Sequence, residues 1–193
     1  MTSIKSSWGF RRLALSLSVC AAFLPAQTSA AGGPPESPDA AKKTAALPGG
    51  AQAVSETFED WLVACSVAQG KKRCVINQQQ TDAKTQQRLI AVELQPRNGG
   101  ADGLLVLPFG LELDKGATLK AGDAQIGQTL RFKTCVPQGC VVPVSFEQKT
   151  LETLYKAAAV VVTAHAENGQ TLSFQISLKG FGPALSRASA LGE

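Results

Sequence analysis

Residues 170–178 read QTLSFQISL: Leu172, Phe174, Ile176 and Leu178 fall on one side, and Thr171, Ser173, Gln175 and Ser177 on the other. Successive side chains of an extended chain point to opposite faces, so this period of two marks a strand with one buried and one wet face. A second apolar run precedes it at 160–166, and between the two stands Asn168-Gly169, residue types that tolerate the positive φ of a tight hairpin turn. Working outward, shorter alternating runs occur at 58–67, 73–79, 88–94, 104–107, 111–113, 130–135 and 140–146. Turn residues separate them, as in Arg97-Asn98-Gly99-Gly100 and Pro108-Phe109-Gly110. Many short strands joined by tight turns predict an all-β fold, an antiparallel β-sandwich. Helices are minor, one or two short ones. Thr150 is placed to cap a turn running to Tyr155, and Pro183 to open a C-terminal helix carrying Ala184, Leu185 and Ala188. In the first run Trp61, Val63 and Cys65 share a face, which predicts an indole packed beside sulfur in the core.

The 193 residues are 44% hydrophobic and 18% charged, a balance that excludes a wholly disordered or collagen-like chain and leaves room for one ordinary domain. No internal repeat is visible, which argues against solenoids and propellers. Lys5, Arg11 and Arg12 precede an apolar stretch at 13–26, and Thr28-Ser29-Ala30 offers the small residues that a signal peptidase reads. Residues 1–30 are therefore expected to be a cleavable signal peptide, with a periplasmic or secreted product. An acylated Cys20 is the weaker alternative, since Val19 stands where a small residue is expected. No apolar run reaches the roughly 18 residues of a membrane-spanning helix, so no stable span is expected in the mature chain. Removing three of the 19 basic residues leaves 16 against 15 acidic ones, which takes away the electrostatic basis for a nucleic-acid partner. Residues 31–55 are rich in Ala, Pro and Gly and lack aromatics, so they read as a disordered tether ahead of a β-sandwich domain at 56–191.

The mature chain keeps Cys65, Cys74, Cys135 and Cys140, an even number in an exported protein, and three pairings are formally possible. The expected pairing is Cys65 with Cys74 and Cys135 with Cys140, each across a short turn-like segment. Loops this short would contribute roughly 2–3 kcal/mol each in the chain-entropy picture. One feature resists: facing Cys135 and Cys140 across a regular hairpin would put Arg131 and Lys133 on the face of Val142 and Val144. A bulge, or a strand that ends early, would remove the conflict. The spacings C-x8-C and C-x4-C fit zinc knuckles poorly, and the strand-like flanks of CVPQGC differ from a catalytic C-x-x-C at a helix start. Neither metal nor cofactor is expected.

His165, the single histidine, lies in a strand-like run with no nucleophile elbow beside it, and reads as structural. Glu112 and Asp114 alternate with Leu111 and Leu113 and read as the wet side of a strand rather than a catalytic carboxylate pair. Lys71-Lys72-Arg73 reads as a solvated turn. The residues thus favour a binding module over an enzyme.

Taken in order, FEDWLVACSV at 58–67, Cys74, LLVLPFGLELDKGATL at 104–119, FKTCVPQGCVV at 132–142 and FQISLKGFGPAL at 174–185 resemble the invasion-associated locus B family of exported bacterial proteins. The resemblance implies an immunoglobulin-like β-sandwich in the periplasm or beyond, with founding members linked to bacterial entry into host cells, a phenotype and not a reaction. The resulting expectation is a non-enzymatic, disulfide-stapled module contacting an envelope or host protein. The alternative is a periplasmic thiol–disulfide or chaperone-like helper using the Cys135/Cys140 pair.

Overall fold

The computed structural model describes residues 46–193; the expected signal peptide and most of the expected tether lie outside the described residues. Eleven strands and two helices follow in order: β1 Ala53–Phe58, β2 Trp61–Ala68, β3 Lys71–Thr81, β4 Arg88–Arg97, β5 Gly100–Leu107, β6 Ala117–Ala121, β7 Ala124–Leu130, β8 Thr134–Val136, β9 Gly139–Glu147, α1 Gln148–Leu154, β10 Ala159–His165, β11 Thr171–Ser177 and α2 Phe181–Gly192. They form a seven-stranded sheet, β1-β2-β3-β4-β5-β9-β8, and a four-stranded sheet, β11-β10-β6-β7, with antiparallel pairing throughout. The architecture is an all-β, immunoglobulin-like sandwich of two antiparallel sheets.

Alternation places the core. In the large sheet Trp61, Val63, Ile76, Ile90, Val92, Leu94, Leu105, Val142 and Val144 point inward; in the small one Leu119, Ile126, Val160, Val162 and Ile176 do. The register is set here, because a slip of one residue would carry each of these rows into water. Gln78 is the one buried polar side chain among the described residues. It ties the sheets together: its amide donates to the Ser177 carbonyl at 3.0 Å, and its oxygen accepts the Ser177 N–H at 3.1 Å. The Trp61 indole N–H donates to that same carbonyl at 3.0 Å, so the indole's polar edge is satisfied as it must be when buried.

Four strands cannot cover seven, and α2 covers much of what remains. Its Phe181, Ala184, Leu185, Ala188 and Leu191 are buried, a helical spacing that gives one apolar face, and it packs on β2 and β3. Trp61 meets Phe181 with ring centroids 5.2 Å apart, and Tyr155 lies 5.7 Å beyond. Gly180, at φ 78°, starts the helix where a Cβ would run into the Phe58 carbonyl, so chain entry into α2 depends on glycine.

Several expectations need correction. Residues 111–113 are no strand: Leu111 makes a single bridge to Ala166, and Leu113–Lys115 form a 3-10 turn. Glu112 and Asp114 therefore do not share a strand face; Glu112 pairs with Lys115 at 2.9 Å. The run at 130–135 divides, because β7 ends at Leu130 in the small sheet and β8 begins at Thr134 in the large one. That division removes the predicted conflict, as Arg131 and Lys133 lie outside both strands and stay exposed. Residues 47–55 do not behave as a tether: Leu47 is buried in the core, and β1 pairs with β2 from Ala53 onward. Helix α1 starts at Gln148 with Glu147 as its N-cap, so Thr150 is not the cap, and Pro183 sits inside the first turn of α2 rather than opening it.

Candidate functional site

Both cysteine pairs are joined, Cys65 to Cys74 and Cys135 to Cys140. Each bridge links directly opposed residues of an antiparallel hairpin, β2–β3 and β8–β9 respectively. Their surroundings differ. Cys65 and Cys74 are both buried, with Val54 of β1 opposite Cys65 on the outer side and the end of α2 close to Cys74 at Gly192. Cys140 is buried, whereas Cys135 is exposed on β8, the last strand of its sheet.

The second bridge belongs to one end of the sandwich, built from the β3–β4 loop, the Pro108-Phe109-Gly110 turn and the β8–β9 turn. Gln79, Thr81, Gln86, Gln87, Arg88, Pro108, Phe109, Pro137, Gln138 and Gly139 line a cleft there of about 610 Å³. Its walls are held. Arg88 donates from Nε to Gln79 at 3.1 Å and from Nη1 to the Gln138 carbonyl at 3.2 Å. The Asp82 carboxylate accepts the Thr85 N–H at 2.7 Å, the Thr85 hydroxyl at 3.0 Å and the Lys84 N–H at 2.9 Å. The Thr85 donors, chiefly its backbone N–H, and then the Lys84 N–H hold the Asp82 carboxyl below its ordinary range. Gly139 is pressed so close to the Leu107 carbonyl that a Cβ would collide with it, which pins the hairpin to β5.

Of the five large hydrophobics that stand exposed among the described residues, Phe109, 59% exposed, lies in the turn at this end, Leu89 follows the β3–β4 loop and Val136 precedes the β8–β9 turn. An aromatic ring held out between Pro108 and Gly110 can bury apolar area only against something else. Neutral amides surround the exposed ring, and Arg88 is the one charged residue lining the cleft.

A profile of the Invasion associated locus B (IalB) protein family matches residues 61–189. The chain belongs to the invasion associated locus B family. It is 47% identical over 149 residues to an invasion protein B homolog of Brucella abortus (strain 2308), covering 76% of this chain and 86% of that relative. It is 33% identical over 181 residues to invasion protein B of Bartonella bacilliformis, covering 92% of this chain and 97% of that protein. The crystal structure of invasion associated protein B from Bartonella henselae superposes with a TM-score of 0.67 at 26% identity, covering 72% of this chain and 96% of that one.

Within this IalB chain the other residues singled out from sequence lie apart from the cleft or outside any cluster. His165 ends β10, where its carbonyl accepts the Glu112 N–H at 2.8 Å. Lys71, Lys72 and Arg73 open β3, and Arg73 pairs with Glu93 at 2.8 Å. Two charged contacts add to these, one between residues distant in sequence and one close to the β4–β5 turn. Arg187 of α2 clamps Glu56 of β1 through both carboxylate oxygens, at 2.7 and 2.8 Å, and that hydrogen bonding holds the Glu56 carboxyl below its ordinary value. Asp102 accepts the Ser145 hydroxyl at 2.7 Å and Arg97 Nε at 3.0 Å, and these two bonds lower its carboxyl in that order. Phe109 carried a signal that could have been read: an aromatic between Pro and Gly sits at a turn and has no strand face on which to bury itself.

Proposed function

We propose that this IalB protein is an exported, non-enzymatic binding module of the periplasm or the secreted fraction, and that the cleft end of the sandwich is its contact surface. The observation that carries the reading is Phe109, an exposed ring beside Pro108 and Pro137 above a cleft whose walls are fixed by Arg88 and Asp82. Aromatic anchors in pre-organised surroundings supply most of the affinity at protein interfaces. The relatives' name, invasion protein B, supports a partner in the cell envelope or on a host cell. The export signal read in residues 1–30 and the two disulfides support an oxidising compartment.

A photo-crosslinking residue placed at position 109 in the full chain, expressed in intact bacteria, tests the reading. A discrete covalent adduct is expected at 109 and not at Gln95, which lies away from the cleft, and Phe109→Ala should weaken partner capture by about 30-fold, as for a 2 kcal/mol anchor. Adducts that are equal at the two positions, or absent from both, would overturn it. Sequencing the mature N-terminus, expected at or near Ala31, tests export separately.

A further inference from the structure

We propose that the Cys135–Cys140 bridge is a thiol–disulfide exchange site, opened by an external protein dithiol that attacks Cys135 Sγ, while Cys65–Cys74 stays closed. The proposal goes beyond the binding reading and does not depend on it.

Exchange requires the incoming thiolate to approach along the line of the S–S bond, from the side opposite the leaving sulfur. In a cross-strand bridge that line runs across the strands. For Cys65–Cys74 it runs within the large sheet: beyond Cys65 stands β1, with Val54 directly opposite, and Cys74 lies past the last β3–β4 pair, Ile76–Leu94, where Pro96 of β4 and Gly192 of α2 line a small cleft beside it. Gly192 of α2 lies against Cys74, and both cysteines are buried. For Cys135–Cys140 the line leaves the sheet. β8 is its last strand, so no strand stands beyond Cys135, and that residue is exposed while Cys140 is buried. One sulfur is therefore open to attack and the other is placed to leave.

A partner thiolate bonds to Cys135 Sγ, the Sγ–Sγ bond breaks, and Cys140 departs as a thiolate that takes up a proton. The second thiol of the partner loses its proton and attacks the partner sulfur in the mixed disulfide, which releases Cys135 as a thiol. The dithiol is oxidised to a disulfide and the hairpin gains two electrons and two protons. Pro137, Gln138 and Gly139 of the bridged turn also line the cleft beside Phe109, so the chain flanking the attacking cysteine has a surface to lie on.

The test uses the native wild-type chain and reduced dithiothreitol as the probe, with samples withdrawn over time, alkylated and mapped by peptide mass. Cys135 and Cys140 are expected to become alkylated at least about ten times faster than Cys65 and Cys74. Equal rates, earlier opening of Cys65–Cys74, or loss of both bridges only at the rate of global unfolding would overturn the proposal. A second measurement fixes the direction of attack: the free Cys135 of Cys140→Ser should form a mixed disulfide with oxidised glutathione at least about ten times faster than the free Cys140 of Cys135→Ser. Equal rates there would also overturn it. If either variant fails to fold, the wild-type experiment decides alone.

Discussion

Two sulfur bridges of similar span close two hairpins of one sheet, and their positions give them different work. Cys65 and Cys74 are nine positions apart, and Cys135 and Cys140 are five apart. Chain entropy varies only with the logarithm of loop length, so it assigns both bridges roughly 2–3 kcal/mol and hardly distinguishes them. What distinguishes them is the sheet. The first is an interior fixture, flanked by strands and covered by α2; the second hangs on the margin with one sulfur open. Bridge count alone is thus a poor guide to stability or reactivity, and the strand order around each bridge is a better one.

The comparison can be broken most severely by removing the helix that covers the interior bridge. Phe181 is 1% exposed and packs against Trp61 with the rings tilted at 59°, so Phe181→Ala is expected to cost about 3–5 kcal/mol. Urea denaturation would measure the loss, and the dithiothreitol experiment on the same variant should show Cys65–Cys74 opening faster. An unchanged opening rate would mean that α2 is not what shields that bridge. Gly180→Ala attacks the same helix through its backbone, combining a left-handed φ with a collision against the Phe58 carbonyl. A loss of about 2 kcal/mol or more is expected by the same denaturation measurement.

Replacing each cysteine pair by Ala sharpens the contrast. Both double variants lose the entropic contribution of roughly 2–3 kcal/mol, but the interior pair also leaves a void in the core, so its midpoint should fall further. Equal losses would show that burial adds nothing.

The smallest expected effect belongs to the Arg187–Glu56 clamp that pins α2 to β1. The folded carboxyl lies below its unfolded value near 4.5, so the clamp stabilises above that pH and its contribution fades as pH falls through the folded value. The difference in urea midpoint between wild type and Glu56→Gln should therefore be full at pH 7 and shrink progressively as the pH is lowered below 4.5. A difference that does not change with pH would point to packing rather than charge.

Much of this was legible where the chain acts locally. QTLSFQISL became β11 because one face packs on the core and the other meets water, the condition under which alternation is visible. The cysteine pairs could be read because each closes its own hairpin. Where local signals were thin, the reading failed. AQIGQTL, the edge strand β7, buries only Ile126 and carries Gly127 at φ 66°, so it shows no period. AVSETF, the edge strand β1 of the large sheet, has no fully buried residue, and its first three residues, 53–55, read as tether. Leu111 and Leu113 alternate, yet one is buried and the other exposed on a 3-10 turn. The Glu56–Arg187 clamp joins residues 131 positions apart, a distance at which sequence patterning carries no information. Phe109 reads as part of a turn, and its flanking Pro108 and Gly110 already deny it a strand face, the signal from which its exposure follows.

The residues of α2 that cover Cys65–Cys74 come far later in the chain than the hairpin they cover. For a chain exported N-terminal side first, the β2–β3 hairpin enters the oxidising compartment ahead of α2, so an oxidant reaches both thiols before access closes. A full-length reduced chain refolding from denaturant has no such ordering, and helix docking competes with sulfur oxidation from the first moment. Order along the chain, rather than any residue in the hairpin, then gives the exported molecule its easier path to the closed bridge.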